Sequence, residues 1–407
     1  MVPMKNAPTV TVLTMVEAGS KYESKANNGI SHFLEHMCFK GTTNRPSAGL
    51  ISRELDAIGS HYNAFTGEEY TGYYAKAAAK HASKLLDVIS DLYLNQIFEE
   101  KEINKEKGVI IEEINMYHDM PQRHVAELFT ELLYGDQPAG WNIAGPKENI
   151  QKMKREDFVE YRKNHYVASA TTLVIAGNFN EKKIMKEIAE KFKAIPVAKK
   201  AGKLKVREAQ TAPAMKVESR TTDQTHLVLG VRAFSASDKN TPSARVLNAV
   251  LGAGMSSRLF QKLREEMGVG YYVRSSYDPY TDHGILSVSI GADVARVQAV
   301  VKAIIGEFKK FTTELVSDEE LNKTKEYLSG MLYLGLESSD AVAEHFGFQE
   351  VMRRPLQTAE QIIKEIKSVT AKDIRAVAKK LFVTKNLNLA IVGPVADEAK
   401  LKSELVL

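Results

Sequence analysis

Two diverged copies of one pattern occupy the two halves of this 407-residue chain, and this repetition limits the possible folds more than any other feature. The tripeptide at 103–105 (INK) matches the one at 321–323 (LNK), and each opens a long helical segment. The apolar run at 173–177 (LVIAG) matches the run at 389–393 (LAIVG) at nearly the same offset along the chain. Two similar offsets from separate places predict that one structural unit is used twice.

The stretch between the copies has a different character. Residues 195–217 carry two prolines and many lysines with little periodicity, which is typical of a solvated linker. We therefore predict a first domain at 1–196, a linker at 197–212 and a second domain at 213–407. Within each half, short alternating apolar runs interleave with amphipathic segments, and several strand candidates are separated only by turns. This pattern favours antiparallel pairing in an α+β fold.

The composition excludes several function classes. The chain has 55 Lys and Arg against 51 Asp and Glu, so its net charge of +4 gives no reason to expect a nucleic-acid or membrane partner. Its one cysteine, Cys38, excludes an intrachain disulfide framework. No apolar run approaches the roughly 18 residues of a membrane span, and the first residues lack the pattern of a signal peptide. We expect a cytoplasmic enzyme.

The motif His32-Phe-Leu-Glu35-His36 carries recognisable chemistry. On a helix, His32 and His36 lie about 40° apart around the axis and Glu35 lies about 60° from His32, so all three fit on one face. Two imidazoles at this spacing can chelate one ion, and zinc favours such nitrogen ligands. A catalytic zinc needs a third protein ligand and a water, and a nearby carboxylate can accept the proton of that water. The order of the motif is the reverse of the commoner zinc-protease motif.

A third ligand is expected on the carboxylate-rich helix predicted at 100–117. Glu106 and Glu113 are two helical turns apart and fall within about 20° of each other on the helix, whereas Glu112 points about 100° away. Helix geometry alone leaves Glu112 and Glu113 as alternatives. We interpret the remaining histidines, including His61, His118 and His124, as surface or hydrogen-bonding residues.

The segments GISHFLEHMCFKGT (29–42) and GVIIEEINMYHDMP (108–121) resemble the pitrilysin family of inverted zinc peptidases, in its short two-domain branch. The resemblance covers nearly the whole chain. It implies two homologous α/β-roll domains, each an antiparallel-rich mixed sheet with helices packed on one face. It also implies that the third ligand is Glu113, which lies at the family's usual spacing beyond His36, and that Glu106 supports catalysis. At the offset that relates 103–105 to 321–323, Glu113 corresponds to Met331, so we expect one zinc ion per chain, in the first half.

The resemblance implies two further substrate contacts. The stretch containing Asn63, Ala64 and Phe65 resembles the edge strand to which an extended peptide adds as a further strand. The segment 256–273 resembles the second-domain segment that offers an arginine and a tyrosine to the substrate, here Arg264 and Tyr271. Gly270 and Tyr272 replace the alanine and serine that usually flank this tyrosine, which leaves the fine substrate preference open.

The resulting hypothesis is a zinc endopeptidase that cleaves unfolded peptides, with His32, His36 and Glu113 as ligands and Glu35 as the general base. Arg264 and Tyr271 would hold the substrate or stabilise the oxyanion. Because the family's chamber needs four homologous domains and this chain supplies two, we expect a homodimer, with a heterodimer of homologous chains as the alternative. The alternative functions are a catalytically silent or scaffold subunit and a small-molecule metal lyase, although lyases with this motif are shorter, single-domain chains.

Overall fold

The computed structural model describes residues 1–270 and 272–407, and these form two compact units, each assembled from several chain segments. Unit 1 comprises Met1–Ile114, Trp141–Leu204 and Tyr333–Gln357, and unit 2 comprises Asn115–Gly140, Lys205–Leu332 and Thr358–Leu407. Within the described residues, every helix is too short or too polar to cross a membrane.

Unit 1 contains a mixed five-stranded sheet in the order β1-β5-β2-β4-β3. Its strands are β1 (Val2–Pro3), β2 (Thr9–Val16), β3 (His61–Thr66), β4 (Thr71–Ala78) and β5 (Thr171–Gly177). β1 pairs with β5 in parallel, and the other neighbours are antiparallel, with Val12 opposite both Ala75 and Ile175. In the sheet formed by the described residues, β3 therefore occupies an edge.

Unit 2 repeats this topology strand for strand, in the order β6-β10-β7-β9-β8. Its strands are β6 (Ala214–Glu218), β7 (Thr225–Ala233), β8 (Val273–Pro279), β9 (Gly284–Ala292) and β10 (Asn388–Val392). The first strand again pairs in parallel with the last, and the other pairs are antiparallel. The two sheets confirm the predicted fold class of two antiparallel-rich mixed sheets.

Helices surround both sheets. In the first half of the chain they are α1 (Ile30–Cys38), α2 (Ala48–Asp56), α3 (Ala82–Leu94), α4 (Glu100–His118), α5 (Pro121–Tyr134), α6 (Lys147–Lys152), α7 (Arg155–His165) and α8 (Glu181–Lys191). In the second half they are α9 (Thr241–Gly252), a π-helix (Phe260–Glu266), α10 (Val297–Thr313), α11 (Asp318–Leu334), α12 (Ser339–Val351), α13 (Ala359–Ser368), α14 (Ala371–Leu381) and α15 (Glu398–Ser403).

Each sheet is covered by helices on both faces, because its central strands are apolar on both sides. Along β2, Val10 and Val12 join the cluster that contains α3, whereas Leu13 and Met15 join the cluster that contains Val342 of α12. This alternation follows from the two-residue period of a strand. The structure thus adds a helix on the second face of the sheet to the helices predicted on one face.

The helix on the second face of each sheet comes from the other half of the sequence. In unit 2, α5 covers the face of β7 and β10 that α9, α10 and α14 leave open, through Val125, Leu128 and Phe129. In unit 1, α12 covers the corresponding face of β2 and β5. The first residues of α5 and α12, Pro121 and Ser339, are related by the same offset as the repeated tripeptides. Equivalent helices are therefore exchanged between the two halves of the sequence: α5 from the first half belongs to unit 2, and α12 from the second half belongs to unit 1.

Candidate metal centre

Helix α1 carries the histidine motif, and its first turn is held by a carboxylate from the preceding loop. Glu23 Oε1 accepts a hydrogen bond from the amide of Ser31 at 2.8 Å, and Glu23 Oε2 accepts one from the amide of Gly29 at 2.8 Å. An acceptor at this position satisfies amides that the helix itself leaves unpaired. Gly29 has a φ of 104°, and a Cβ there would lie 2.6 Å from the carbonyl oxygen of Ala144, so only glycine fits.

Packing of the apolar face of α1 determines which way the polar side chains of the motif point. Ile30, Phe33, Leu34 and Met37 are fully or almost fully buried in one cluster with residues of α4 and α7. Because residues three and four apart share a helix face, packing on this side leaves the three polar side chains of the motif on another side. Cys38, the last residue of the helix, is buried in the same cluster, in agreement with a packing role.

Three side chains converge here as a group that could hold a metal ion. The nitrogen Nε2 of His32 lies 3.6 Å from Oε2 of Glu113, and Nε2 of His36 lies 3.5 Å from the same oxygen. One ligand atom from each of the three residues lies within 4.8 Å of the others. Tetrahedral zinc ligands at about 2.0–2.2 Å from the ion lie about 3.4 Å from one another, so this donor set fits such an ion.

Glu112 lies outside this group. Its side chain is exposed, whereas the side chain of Glu113 on the same helix is 22% exposed and faces both histidines. Of the two glutamates that helix geometry left open, the structure places Glu113 beside the histidines: α4 buries Ile103, Glu106 and Ile110 against its unit, and Glu113 follows these residues at helical spacing.

Glu106 lies behind His36, on the side away from Glu113. Its Oε1 is 3.0 Å from Nδ1 of His36, and its Oε2 is 2.5 Å from Nζ of Lys40. Burial favours the protonated carboxyl, but the hydrogen bond from His36 and the ion pair with Lys40 outweigh it and hold the pKa of Glu106 below its ordinary value. An ionised Glu106 accepts the Nδ1 proton of His36, so that when His36 loses its other ring proton, Nε2 has a lone pair directed at the candidate centre.

The two histidines have opposite proton affinities in the metal-free protein. Burial, reinforced by the charge of His36, lowers the pKa of His32 to about 4. Burial also acts to lower the pKa of His36, but the hydrogen bonds with Glu106 and Glu113 outweigh it and raise that pKa to about 9. Near neutral pH the metal-free pair therefore carries one positive charge, which lies on His36 beside its carboxylates, while His32 is neutral.

Glu35 is held by a residue of β3. The hydroxyl of Thr66 donates to Oε2 of Glu35 at 2.5 Å, which leaves Oε1 of Glu35 without that bond. Burial raises the pKa of Glu35, and the nearby Glu113 adds to the effect, while Thr66 and His36 oppose it. A carboxyl with a raised pKa beside a metal-ligand set has the properties of a general base.

The other predicted site residues lie on different elements. Asn63, Ala64 and Phe65 are on the edge strand β3; Asn63 is exposed, and Ala64 is buried in the cluster that contains α1. Arg264 lies in the π-helix of unit 2, where it is exposed and donates to the carbonyl of Gly270 at 2.8 Å. Tyr271 lies outside the described residues.

Sequence reasoning missed three residues around the centre. Lys40 follows His36 by four positions, which is the spacing of neighbours on a helix, so its place beside the motif could have been predicted. Glu23 and Thr66 carry no comparable signal, because a loop and a hairpin bring them to α1.

Two family models match the chain. Residues 2–147 match the model described as insulinase (peptidase family M16), and residues 152–328 match the model described as peptidase M16 inactive domain. The first match contains the whole candidate metal centre. The second covers the segment with Arg264.

Similar proteins extend over almost the whole chain. A Bacillus subtilis protein named an uncharacterized zinc protease, YmxG, is 34% identical over 394 residues, which are 96% of this chain and 95% of that protein. A Streptomyces coelicolor protein, also named an uncharacterized zinc protease, is 32% identical over 389 residues, which are 93% of this chain and 84% of the relative.

Solved structures share the fold. The crystal structure of a protease from Helicobacter pylori matches with a TM-score of 0.89 at 22% identity, over 97% of this chain and 96% of that one. A Pseudomonas fluorescens structure described as a peptidase M16 inactive domain also matches with a TM-score of 0.89, at 16% identity over 97% and 95% of the two chains. The resemblance to the inverted zinc peptidases is thereby confirmed, and the chain belongs to peptidase family M16, in its short two-domain branch.

Proposed function

We propose that this protein is a zinc-dependent endopeptidase that hydrolyses unfolded peptides. One observation carries the proposal: two imidazole nitrogens and the Glu113 carboxylate converge at distances of 3.5 and 3.6 Å, with the partly buried carboxyl of Glu35 on the helix that carries the histidines. A set of two histidines and one carboxylate would leave the fourth position of a tetrahedral ion open for water or substrate. The names of the similar bacterial proteins, zinc proteases, also favour zinc.

The residues of the chain would divide the work of peptide hydrolysis. When bound, zinc supplies a Lewis acid that polarises the peptide carbonyl and acidifies a water molecule. Glu35 accepts a proton from the attacking water at Oε1, since Thr66 holds Oε2, and then delivers it to the departing amine. Glu106 keeps the Nδ1 proton of His36 and so keeps Nε2 available as a ligand.

The substrate would bind along β3. An extended peptide can pair with the backbone of an edge strand, and this strand also carries Thr66 next to Glu35. Backbone pairing along Asn63, Ala64 and Phe65 recognises a peptide with little regard to its side chains. Arg264 and Tyr271 would contribute a charge and a hydroxyl to the bound peptide or to the oxyanion.

We also propose that the active form is a homodimer in which Arg264 and Tyr271 of one chain act at the metal centre of the other. The support is the resemblance to four-domain peptidases, of which this chain supplies two domains. The same chain carries both the metal motif and the arginine–tyrosine pair, whereas specialised heterodimers divide these features. A catalytically silent subunit of a heterodimer is the second candidate.

Digestion of a mixed peptide library with the purified chain tests the activity. We expect cleavage of extended peptides that a chelator abolishes and added zinc restores, while a stably folded protein is spared. The same digestion with Glu35→Gln excludes a contaminating protease. A wild-type chain that binds zinc yet leaves the library uncut would favour the silent-subunit alternative.

A further inference from the structure

A second group of side chains that could bind a metal lies in unit 2. It consists of His118, the last residue of α4, His124 in the first turn of α5, and Glu218, the last residue of β6. One ligand atom from each residue lies within 4.8 Å of the others. We expected these histidines to be surface or hydrogen-bonding residues, and nothing in the sequence links them to Glu218, which lies about 100 residues further along the chain.

The nitrogen–oxygen distances in this group are close to the spacing between ligand atoms at a tetrahedral ion. Nε2 of His124 is 2.8 Å from Oε2 of Glu218, and Nε2 of His118 is 4.0 Å from Oε1 of the same carboxylate. These separations lie on either side of the spacing of about 3.4 Å expected between tetrahedral zinc ligands, so a small rotation of the carboxylate would equalise them. The two imidazole rings are 4.8 Å apart.

Each imidazole also has a carboxylate at its other nitrogen. Nδ1 of His124 lies 3.3 Å from Oε2 of Glu127, and Nδ1 of His118 lies 3.5 Å from Oδ1 of Asp119. A metal-binding histidine typically gives its second ring proton to such an acceptor, as His36 does with Glu106 in unit 1. The outer acceptors that a ligand pair needs are therefore present.

A positive charge already sits against the ligand atoms. Nη2 of Arg220 lies 2.7 Å from Nε2 of His118, and Nε of Arg220 donates to Oε1 of Glu218 at 2.6 Å. Because a guanidinium only donates hydrogen bonds, the nitrogen of His118 that faces it carries a lone pair. Arg220 thus occupies the place that a bound cation would take, with its own side chain 18% exposed.

We propose that His118, His124 and Glu218 form a second divalent-metal site, weaker than the first, for which Arg220 competes. Two nitrogens and one oxygen suit zinc and its late transition-metal neighbours better than magnesium or calcium. Binding displaces Arg220 from His118 and joins the end of α4 to α5 and β6. The side chain of His118 is 57% exposed, so the ion enters directly from solvent.

The competing explanation is an ion-pair network that binds no metal. Substitution of Arg220 distinguishes this explanation from a metal site. If the group is only an ion-pair network, Arg220→Ala has no effect on metal binding. If the group binds metal, the same substitution removes a competing charge from two ligand atoms and tightens binding at this site, by roughly threefold or more.

Zinc titration of the untagged full-length chain, read by equilibrium dialysis and metal analysis, tests the proposal. We expect about two zinc ions per wild-type chain, the second at least about tenfold weaker, and about one in His124→Ala. The double variant His32→Ala/His36→Ala should keep only the weaker ion, and adding His124→Ala should remove it. His61→Ala, an exposed histidine outside both groups, is the control and should bind as the wild type does.

Circular dichroism shows whether His124→Ala is folded. A second variant, Glu218→Gln, tests the same site if His124→Ala is not. If the wild type and a folded His124→Ala bind the same number of zinc ions, the proposal is wrong. It is equally overturned if Arg220→Ala leaves the weaker site unchanged or weakens it. Because metal binding rather than peptide cleavage is measured, these outcomes are independent of the proposed activity.

Discussion

The Nδ1 atom of His36 lies 3.0 Å from Oε1 of Glu106, and the same carboxylate lies 2.5 Å from Nζ of Lys40. We predict that Glu106→Ala lowers zinc affinity by about 10–100-fold, because the ring of His36 loses the acceptor that orients it. Glu106→Gln should fall between this variant and the wild type, since an amide oxygen still accepts the Nδ1 proton. A zinc-chelator competition assay measures both, with the exposed Glu100→Ala as the control.

Glu35→Gln should separate metal binding from turnover. The amide keeps the shape of the side chain but cannot accept a proton, so we expect peptide cleavage to fall by at least about 100-fold while one zinc ion stays bound at the motif. The rate is measured with a quenched peptide and the metal by elemental analysis. Wild-type activity in this variant would contradict the role of Glu35 as general base.

Glu113→Gln and Glu112→Gln form a matched pair of neighbouring substitutions. Only Glu113 faces His32 and His36, so we expect Glu113→Gln to weaken zinc binding by about tenfold or more and Glu112→Gln to leave it unchanged. Isothermal titration of the two metal-free proteins with zinc gives the comparison. The reverse order would mean that the third ligand had been assigned to the wrong glutamate.

Asp91 should make the free energy of unfolding depend on pH. Its Oδ2 accepts from Arg45 at 2.7 Å and from Thr42 at 2.6 Å, and both Asp91 and Arg45 are buried. Burial alone would raise the pKa of Asp91, but the hydrogen bonds from Thr42, Asn95 and Arg45 outweigh it and lower that pKa. The ionised carboxylate therefore stabilises the fold above its unfolded pKa of about 3.9, and this contribution is lost as the pH falls through the lower, folded value.

Asp91→Asn should accordingly cost roughly 3 kcal/mol near neutral pH, the low end for a broken buried pair, because Asp87 still contacts Arg45. The difference from the wild type should shrink below about pH 4. Urea unfolding followed by the fluorescence of Trp141, the single tryptophan, reports on unit 1. Asp87→Asn, whose side chain is 33% exposed, is the control and should cost under about 1 kcal/mol. An equal cost at every pH would show that ionisation of Asp91 has no part in it.

Mixing Glu35→Gln chains with Arg264→Ala chains tests the homodimer. Each variant alone should be nearly inactive, because every site lacks either the base or the arginine. A mixed dimer contains one site with both wild-type groups, so activity should return toward about a quarter of the wild-type level after subunit exchange. If exchange is demonstrated by mass spectrometry and activity stays absent, Arg264 acts within its own chain or not at all.

The sequence alone predicts some residues of the candidate centre but not others. The five residues of the motif lie on one helix, so helix periodicity alone predicts that the two histidines and Glu35 share a face. Glu113 needed the family resemblance, since a helix by itself does not show which of two adjacent glutamates faces a neighbour. Thr66 could not be predicted, because its contact with Glu35 depends on how the β3–β4 hairpin packs beside α1.

The two exchanged helices were missing from the sequence-based prediction, for different reasons. Nearly all residues of α12 are at least partly buried, so its sequence lacks the polar stripe by which a surface helix is recognised. In α5 the signal was present: Val125, Leu128, Phe129 and Leu133 follow a helical period after Pro121 at the helix start. The separation of α13 from α14 follows from a local signal, because Thr370 and Asp373 form a capping box that starts α14.

The exchange of α5 and α12 has a consequence for how the protein is made. When synthesis has reached Leu204, the nascent chain contains every candidate ligand of the metal centre in unit 1. It does not yet contain α12, the helix that covers the sheet face formed by Leu13, Met15, Val174 and Ala176. Unit 1 is complete only when Gln357 has emerged, after most of unit 2 has been synthesised. The nascent chain therefore lacks the cover of one apolar sheet face through much of its translation, and exposed apolar surface of this kind makes folding intermediates prone to aggregation.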